Sequence, residues 1–239
     1  MVNLLVIMFL LPACSEDPVE PPPQTLSQIP TNGLLAFYPF EGSVQDASGN
    51  ANHGSKLLPE TPVNTFLTIR EESRYDGARL PDSLFSGLGD FTISVWGRIT
   101  DLHDPGDNTV ISGFWSNNML YVLYDADKDN WVFTVTEEAA NFGPSTTIRD
   151  GSWHHIVALR NATIARFYFD GVQIGDGLSI NGNKTTVAAI IVGQEQDSRA
   201  GGFDRGQSWA GDLDNLRIYD RALSSSEIQQ LYKETGWGD

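Results

Sequence analysis

Cysteine is all but missing from this chain: Cys14 is the only one in 239 residues. No intrachain disulfide, zinc-thiolate cluster or iron–sulfur centre can be built from it. Basic residues are scarce too. Fifteen Lys and Arg stand against 31 Asp and Glu, a formal net charge of −16. Such a chain is a poor partner for nucleic acid or an anionic membrane surface and suits cations or neutral ligands better. No apolar run reaches the roughly 20 residues that a membrane-spanning helix needs. Long helical patterns are lacking between the strand-like segments, which argues against parallel βαβ units. What is plentiful is turn-forming: 23 Gly and 12 Pro. The apolar share, 40%, is enough for a core and too high for a disordered chain. The length suits one large all-β domain.

The amino-terminal stretch reads as targeting rather than fold. Leu4 to Leu11 is unbroken apolar sequence, of a length that fits the h-region of a secretory signal. It ends in Leu11-Pro12-Ala13-Cys14, which resembles the lipobox of bacterial lipoproteins, where the chain is cut before a lipidated cysteine. No Lys or Arg precedes the apolar run, a departure from that pattern. Ser15 to Gln24 holds four prolines and three acids, a stiff tether with a polyproline II bias. Acidic residues at this place resemble surface-export signals of some Gram-negative lipoproteins. The expected organisation is a signal peptide over 1–13, a tether over 14–31 and one domain over 32–239. The expected location is a bacterial outer membrane, on the cell surface or the periplasmic face, with membrane contact through lipid alone.

From Asn32 the chain reads as strands. In Phe91 to Ile99, Phe91, Ile93, Val95 and Ile99 alternate with Thr92, Ser94, Trp96 and Arg98, the period of a strand with one buried face. Met119 to Tyr124 and Trp131 to Thr136 flank a polar turn and predict a hairpin. Trp153 to Leu159 and Ile164 to Phe169 predict another, followed by the Asp170-Gly171 turn and Val172 to Ile174. Leu34 to Phe40, Ala188 to Val192 and Leu213 to Tyr219 complete the set. One helix is predicted, where Ser224-x-x-Glu227 forms a capping box ahead of Ile228, Leu231 and Tyr232.

Four blocks resemble one family. They are Gly33 to Phe40 with Asp46 to Gly54; Phe91 to Trp96; Trp153 to Val157 with Phe167 to Gly171; and Gly211 to Tyr219 with Arg221 to Ser224, Glu227 and Ile228. In this order they resemble the laminin-G-like jelly rolls of the concanavalin A-like lectin/glucanase superfamily. The resemblance implies an all-β fold: a two-sheet antiparallel jelly-roll sandwich with one short C-terminal helix. It does not name a ligand, because this fold carries many functions.

Period 2 puts Asp214 on one face with Leu216 and Ile218, so it is expected to point into the core, where a carboxylate must be paired or metal-bound. The loop Asp46 to Gly54 is rich in oxygen ligands of the kind calcium takes. In the superfamily a structural calcium often ties the first strand to the last. That implies Asp46, Asn52 and Asp214 as side-chain ligands, with the carbonyl of Gly54 or Glu41 in support. The alternative is that Asp46 and Asn50 make Asx-turns and Asp214 caps backbone amides. Asp125-x-Asp127-x-Asp129 lacks the glycine and glutamate of an EF-hand and reads as a hairpin turn. His154 and His155 would point to opposite sides of a strand and cannot easily share an ion. His53 and His103 are isolated, and no Ser/His/Asp set is evident. The paired carboxylates of a retaining glucanase strand are missing: Glu195-Gln-Asp197 lacks its second glutamate, and Glu137-Glu138 would diverge. The expectation is therefore a surface-anchored, non-catalytic binding protein with a glycan or a surface protein as partner. Trp115 and Phe203 are the expected ligand-stacking aromatics, and Arg199 and Arg205 a small local positive patch. An adhesive or structural role is the alternative, and a glycoside hydrolase is less favoured.

Overall fold

The structure is a computed structural model that describes residues 29–70, 75–101, 106–114, 120–144 and 148–234. Two antiparallel sheets pack face to face, with one helix on the outside. The first runs in the order β1 (Leu34–Tyr38), β15 (Gly211–Tyr219), β5 (Phe91–Ile99), β10 (His154–Asn161), β11 (Ile164–Phe169) and β12 (Val172–Gln173). In the same sheet β3 (Leu67–Ile69) pairs with β15, and β13 (Leu178–Ser179) pairs with β11. The second runs β2 (Ser55–Lys56), β4 (Ala78–Leu80), β14 (Ala188–Val192), β6 (Asn108–Phe114), β7 (Leu120–Asp125), β8 (Asn130–Val135) and β9 (Glu138–Phe142). The strands and the single helix expected from sequence are present, and the fold is the expected all-β sandwich.

The core lies between the sheets. Phe91, Ile93, Val95 and Ile99 enter it from β5 as the alternation required. Trp131 stacks on Phe167 at 5.0 Å, and Phe91 meets Phe133 edge-on at 5.9 Å. Side chains of this size stabilise by roughly 1.5–3 kcal/mol each when buried. Arg160 shares the inward phase of Ile156 and Ala158, opposite Phe91. Its guanidinium is held there by the carbonyls of Ala162 and Asn181.

One inference from alternation is corrected. Asp214 faces Trp96 while Arg217 faces Ser94, so three steps along β15 match two along β5. That is a bulge, and Asn215 takes it up at φ 48°. The extra residue resets the phase. Leu213, Leu216 and Ile218 enter the core, whereas Asp214, with Trp96, lies on the outer face of the first sheet.

Helix α1 (Ser225–Tyr232) covers that outer face. Its capping box is complete: Ser224 accepts from the Glu227 amide and Glu227 from the Ser224 amide. Ile228 and Leu231 pack on Val157, Leu159, Tyr168 and Tyr219. Ile29 packs at the margin of the same cluster. The Tyr219 hydroxyl donates to the Pro30 carbonyl at 3.0 Å, and Arg221 to the Asn32 carbonyl at 2.8 Å.

The outer face of the second sheet is crossed by chain instead of a helix. The register aligns Arg79, Ile191, Ser112, Tyr121, Thr134 and Ala139 in one outward row. The segment 193–209 lies against it. Ser112 donates to the Gln194 carbonyl at 2.6 Å, and Gln196 donates to Ser112 Oγ and the Ala189 carbonyl, both at 2.9 Å. Trp209 returns the segment to the core, fully buried. Gly97 makes room for it, since a Cβ there would meet the indole at 2.7 Å.

Candidate functional site

The residues expected to hold calcium do not form one site. Asp46 sits at the free edge of β1, where its carboxylate accepts from the amides of Phe37, Ser48 and Asn52 and from the Ser48 hydroxyl. Burial pushes its pKa up, but those four donors outweigh it and leave the carboxyl below its ordinary value. Donor protons thus stand where a cation would. Asn52 gives its side-chain N–H to the Leu35 carbonyl, Asn50 gives its own to Leu34 and Leu35, and the Gly54 amide bonds to Val44. This is the Asx-turn alternative, a loop stapled to the edge of β1. Asp214 lies on the far side of β1, on β15, where its carboxylate accepts from the Asn215 amide. Burial raises its pKa to about 7, with Glu41 adding to the effect. Two intervening strand spacings amount to about 10 Å, whereas two oxygens on one calcium lie within about 5 Å. The bulge explains the misplacement, since it turns Asp214 out of the core. Among the described residues no group of three or more His, Cys, Asp or Glu is placed to hold a metal.

Asp125, Asp127 and Asp129 lie at the β7–β8 hairpin, as expected. Asp125 is engaged by the Lys128 ammonium and amide, and Asp129 accepts from the Tyr124 hydroxyl.

The histidines diverge as expected and have separate roles. His154 Nδ1 and Nε2 face Asp170 at 2.9 Å and Asp150 at 3.1 Å. Burial lowers its pKa, but the two carboxylates more than reverse this and hold it above its ordinary value. His155 is buried beneath α1 and shares a 2.8 Å hydrogen bond with Ser94 Oγ. Burial, with Arg217 nearby, pushes its pKa down to about 3. Sequence reading missed this Ser–His pair because the partners are 61 residues apart. Tyr232 stacks on the imidazole and Trp96 lies tilted against it, and its burial leaves substrate no access.

Phe203, the other aromatic expected to meet a ligand, is half-buried and has a partner that sequence reading missed. Tyr75 meets it edge-on at 5.8 Å and is 52% exposed. Tyr75 stands just before β4 and Phe203 on the 193–209 segment, so the pair joins two separate parts of the chain. An aromatic beside Asp76-Gly77 was the available signal. Arg199 extends from the same segment to Asp82 at 2.9 Å, and Arg79 of β4 reaches that carboxylate at 3.0 Å. Trp115, Cys14 and His103 lie outside the described residues.

A glycosidase needs two carboxylates flanking one bond, roughly 5–9.5 Å apart. The outward row of the second sheet carries none, and neither does its neighbour, Thr109, Leu123, Val132 and Asn141. Glu138 is bonded to the Asn181 amide at the β8–β9 turn, and Glu137 stands beside it at φ 70°.

Comparison with known proteins adds the rest. The Laminin_G_3 family, concanavalin A-like lectin/glucanases superfamily, matches residues 72–229. The chain is 39% identical over 200 residues to the Female protein of Nothocricetulus migratorius, a match covering 77% of this chain and 80% of that protein. It is 30% identical over 179 residues to neuronal pentraxin-1 of Rattus norvegicus, covering 69% of this chain. The chain spans 38% of that relative's length, and 4% of the Sushi, von Willebrand factor type A, EGF and pentraxin domain-containing protein 1 of the same species. Among solved structures, the binding domain of Paraclostridial Mosquitocidal Protein 1 superposes with a TM-score of 0.64 at 20% identity, covering 84% of this chain and 52% of that one. Domain 4 of AbnA, a GH43 extracellular arabinanase from Geobacillus stearothermophilus in complex with arabinotriose, superposes with a TM-score of 0.54 at 20% identity. That match covers 83% of this chain and 98% of the other. At such identity the likeness shows the fold alone.

Proposed function

The chain belongs to the concanavalin A-like lectin/glucanase superfamily, and from that premise we propose that it is a non-catalytic carbohydrate-binding domain, held at a cell surface by lipid on Cys14. The observation that carries the reading is the Tyr75–Phe203 pair. Sugars present one apolar face of C–H groups, and exposed aromatic rings on a rigid support are what such a face packs against. The arabinanase domain solved with arabinotriose supports the carbohydrate reading. The two outward rows without carboxylates, and the engagement of Asp125 in the next row by Lys128, support binding without cleavage. The lipobox and proline tether support the anchor.

Affinity electrophoresis against a panel of plant, algal and host glycans tests the reading. At least one glycan should retard the wild-type protein while releasing no reducing sugar. Tyr75→Ala and Phe203→Ala should each weaken the retardation several-fold and leave the melting temperature within a few degrees. If no glycan retards the wild type, or both variants are retarded as strongly as it is, the reading fails.

A further inference from the structure

Beside the aromatic pair, two arginines from separate elements converge on one carboxylate. Arg79 comes from β4 and Arg199 from the 193–209 segment, and both contact Asp82. The Ala189 amide donates to the same carboxylate at 3.0 Å. Arg79 and the amide already satisfy Asp82, so the fold does not need the second guanidinium. Stability does not ask for it either. The Arg199 side chain is 62% exposed and that of Asp82 35%, and an exposed pair of this kind is worth about 0–1 kcal/mol. Within the cluster two guanidinium charges meet one carboxylate, on a chain of net −16. Arg79, in the middle of β4, is four residues along from Tyr75, about 13 Å at strand spacing. Phe203 and Arg199 come from one segment, so stacking rings and free guanidinium edges are offered together.

We infer that the ligand of this surface is an acidic glycan, its sugar ring carried by Tyr75 and Phe203 and its carboxylate or sulfate taken by Arg199 and Arg79. The inference rests on the binding reading above and narrows it. Guanidinium matches both anions bidentately, with hydrogen bonds about twice as strong as neutral ones. Net charge disfavours polyanions at long range, but that field is screened beyond about 10 Å at 0.1 M salt, within which the arginine pair governs. The separation of the two features exceeds one sugar ring, so the ligand is an oligosaccharide.

Gels containing polygalacturonate, a sulfated galactan or a neutral arabinan test this. A protein of net −16 is repelled by a polyanion, so retardation in an acidic gel is not ion exchange. Wild type should be retarded more in one acidic gel than in the neutral one, and the gel that works tells carboxylate from sulfate. Arg199→Gln should lose about tenfold in affinity there with its melting temperature unchanged, and Arg199→Lys should recover part of the loss. Retardation by the neutral gel alone, or by an acidic gel without any effect of Arg199→Gln, would overturn the inference and leave the binding reading standing. No retardation in these gels or by any other glycan would remove both.

Discussion

His155 is neutral because it is buried, and acid should find it. Its folded pKa of about 3 lies below the ordinary 6.5, so between those values the unfolded chain binds a proton that the folded chain refuses. Its contribution is complete above pH 6.5 and is lost as pH falls toward 3, at up to about 1.4 kcal/mol per pH unit. Urea titrations at pH 7 and pH 5 should show a larger loss for wild type than for His155→Gln, and equal losses would place the acid sensitivity elsewhere. His154 has the opposite sign: its stabilisation is present below its ordinary pKa and fades as pH rises through the raised one. The divergence of the two rings was legible in the sequence, because neighbours on a strand alternate. The side taken by Asp214 was not. A single bulge at Asn215 reverses a face, and nothing in Leu213 to Tyr219 announces it.

At the scale of elements, α1 is the clearest case of a local signal deciding structure. Ser224 and Glu227 close the box, and Arg221 grips the glutamate through both oxygens. That grip, the larger influence, together with the Ser224 donors, holds the Glu227 carboxyl down to about 2. Ser224→Ala removes one cap acceptor and should cost about 1 kcal/mol in chemical denaturation. A cost indistinguishable from zero would mean that tertiary packing alone holds the helix start. The long strands were as legible, β5 above all, because each shows one face to a core and the other to a different environment. Shorter pieces were not. Ala78–Leu80 is too brief to show a period, and Asn108–Phe114 is buried along almost its whole length, so it has no alternation to read. Tyr75 was missed for a related reason: its importance comes from Phe203, a neighbour 128 positions along the chain.

For the molecule as a whole, the first described residues and the Tyr75–Phe203 pair lie on different layers. The chain enters at Ile29 and Pro30 against the first sheet, under α1, whereas Tyr75 and Phe203 flank the second. A protein lipidated at Cys14 would therefore be held by one layer and present the other. Cys14→Ala should move it from the membrane fraction to the soluble fraction or stop its processing; a variant of normal size that stays in the membrane fraction would refute the anchor. The sandwich itself was the most legible feature of the sequence, because its four blocks supply five strands of the first sheet, from its β1 edge to β11. The site was the least, because it is assembled by a loop crossing a sheet.

The strap between the start of the fold and its end has a further consequence. Pro30 and Asn32 are bonded to Tyr219 and Arg221, while Glu234 reaches back to Arg217, which lies over the Phe37 ring. Entry and exit are thus side by side on one face. A unit that begins where it finishes can be spliced into a surface loop of another protein with little displacement of the host, or strung with other units without either end threading past the sandwich. A stretch similar to it makes up a small fraction of a much longer relative, which such a plug-in geometry permits.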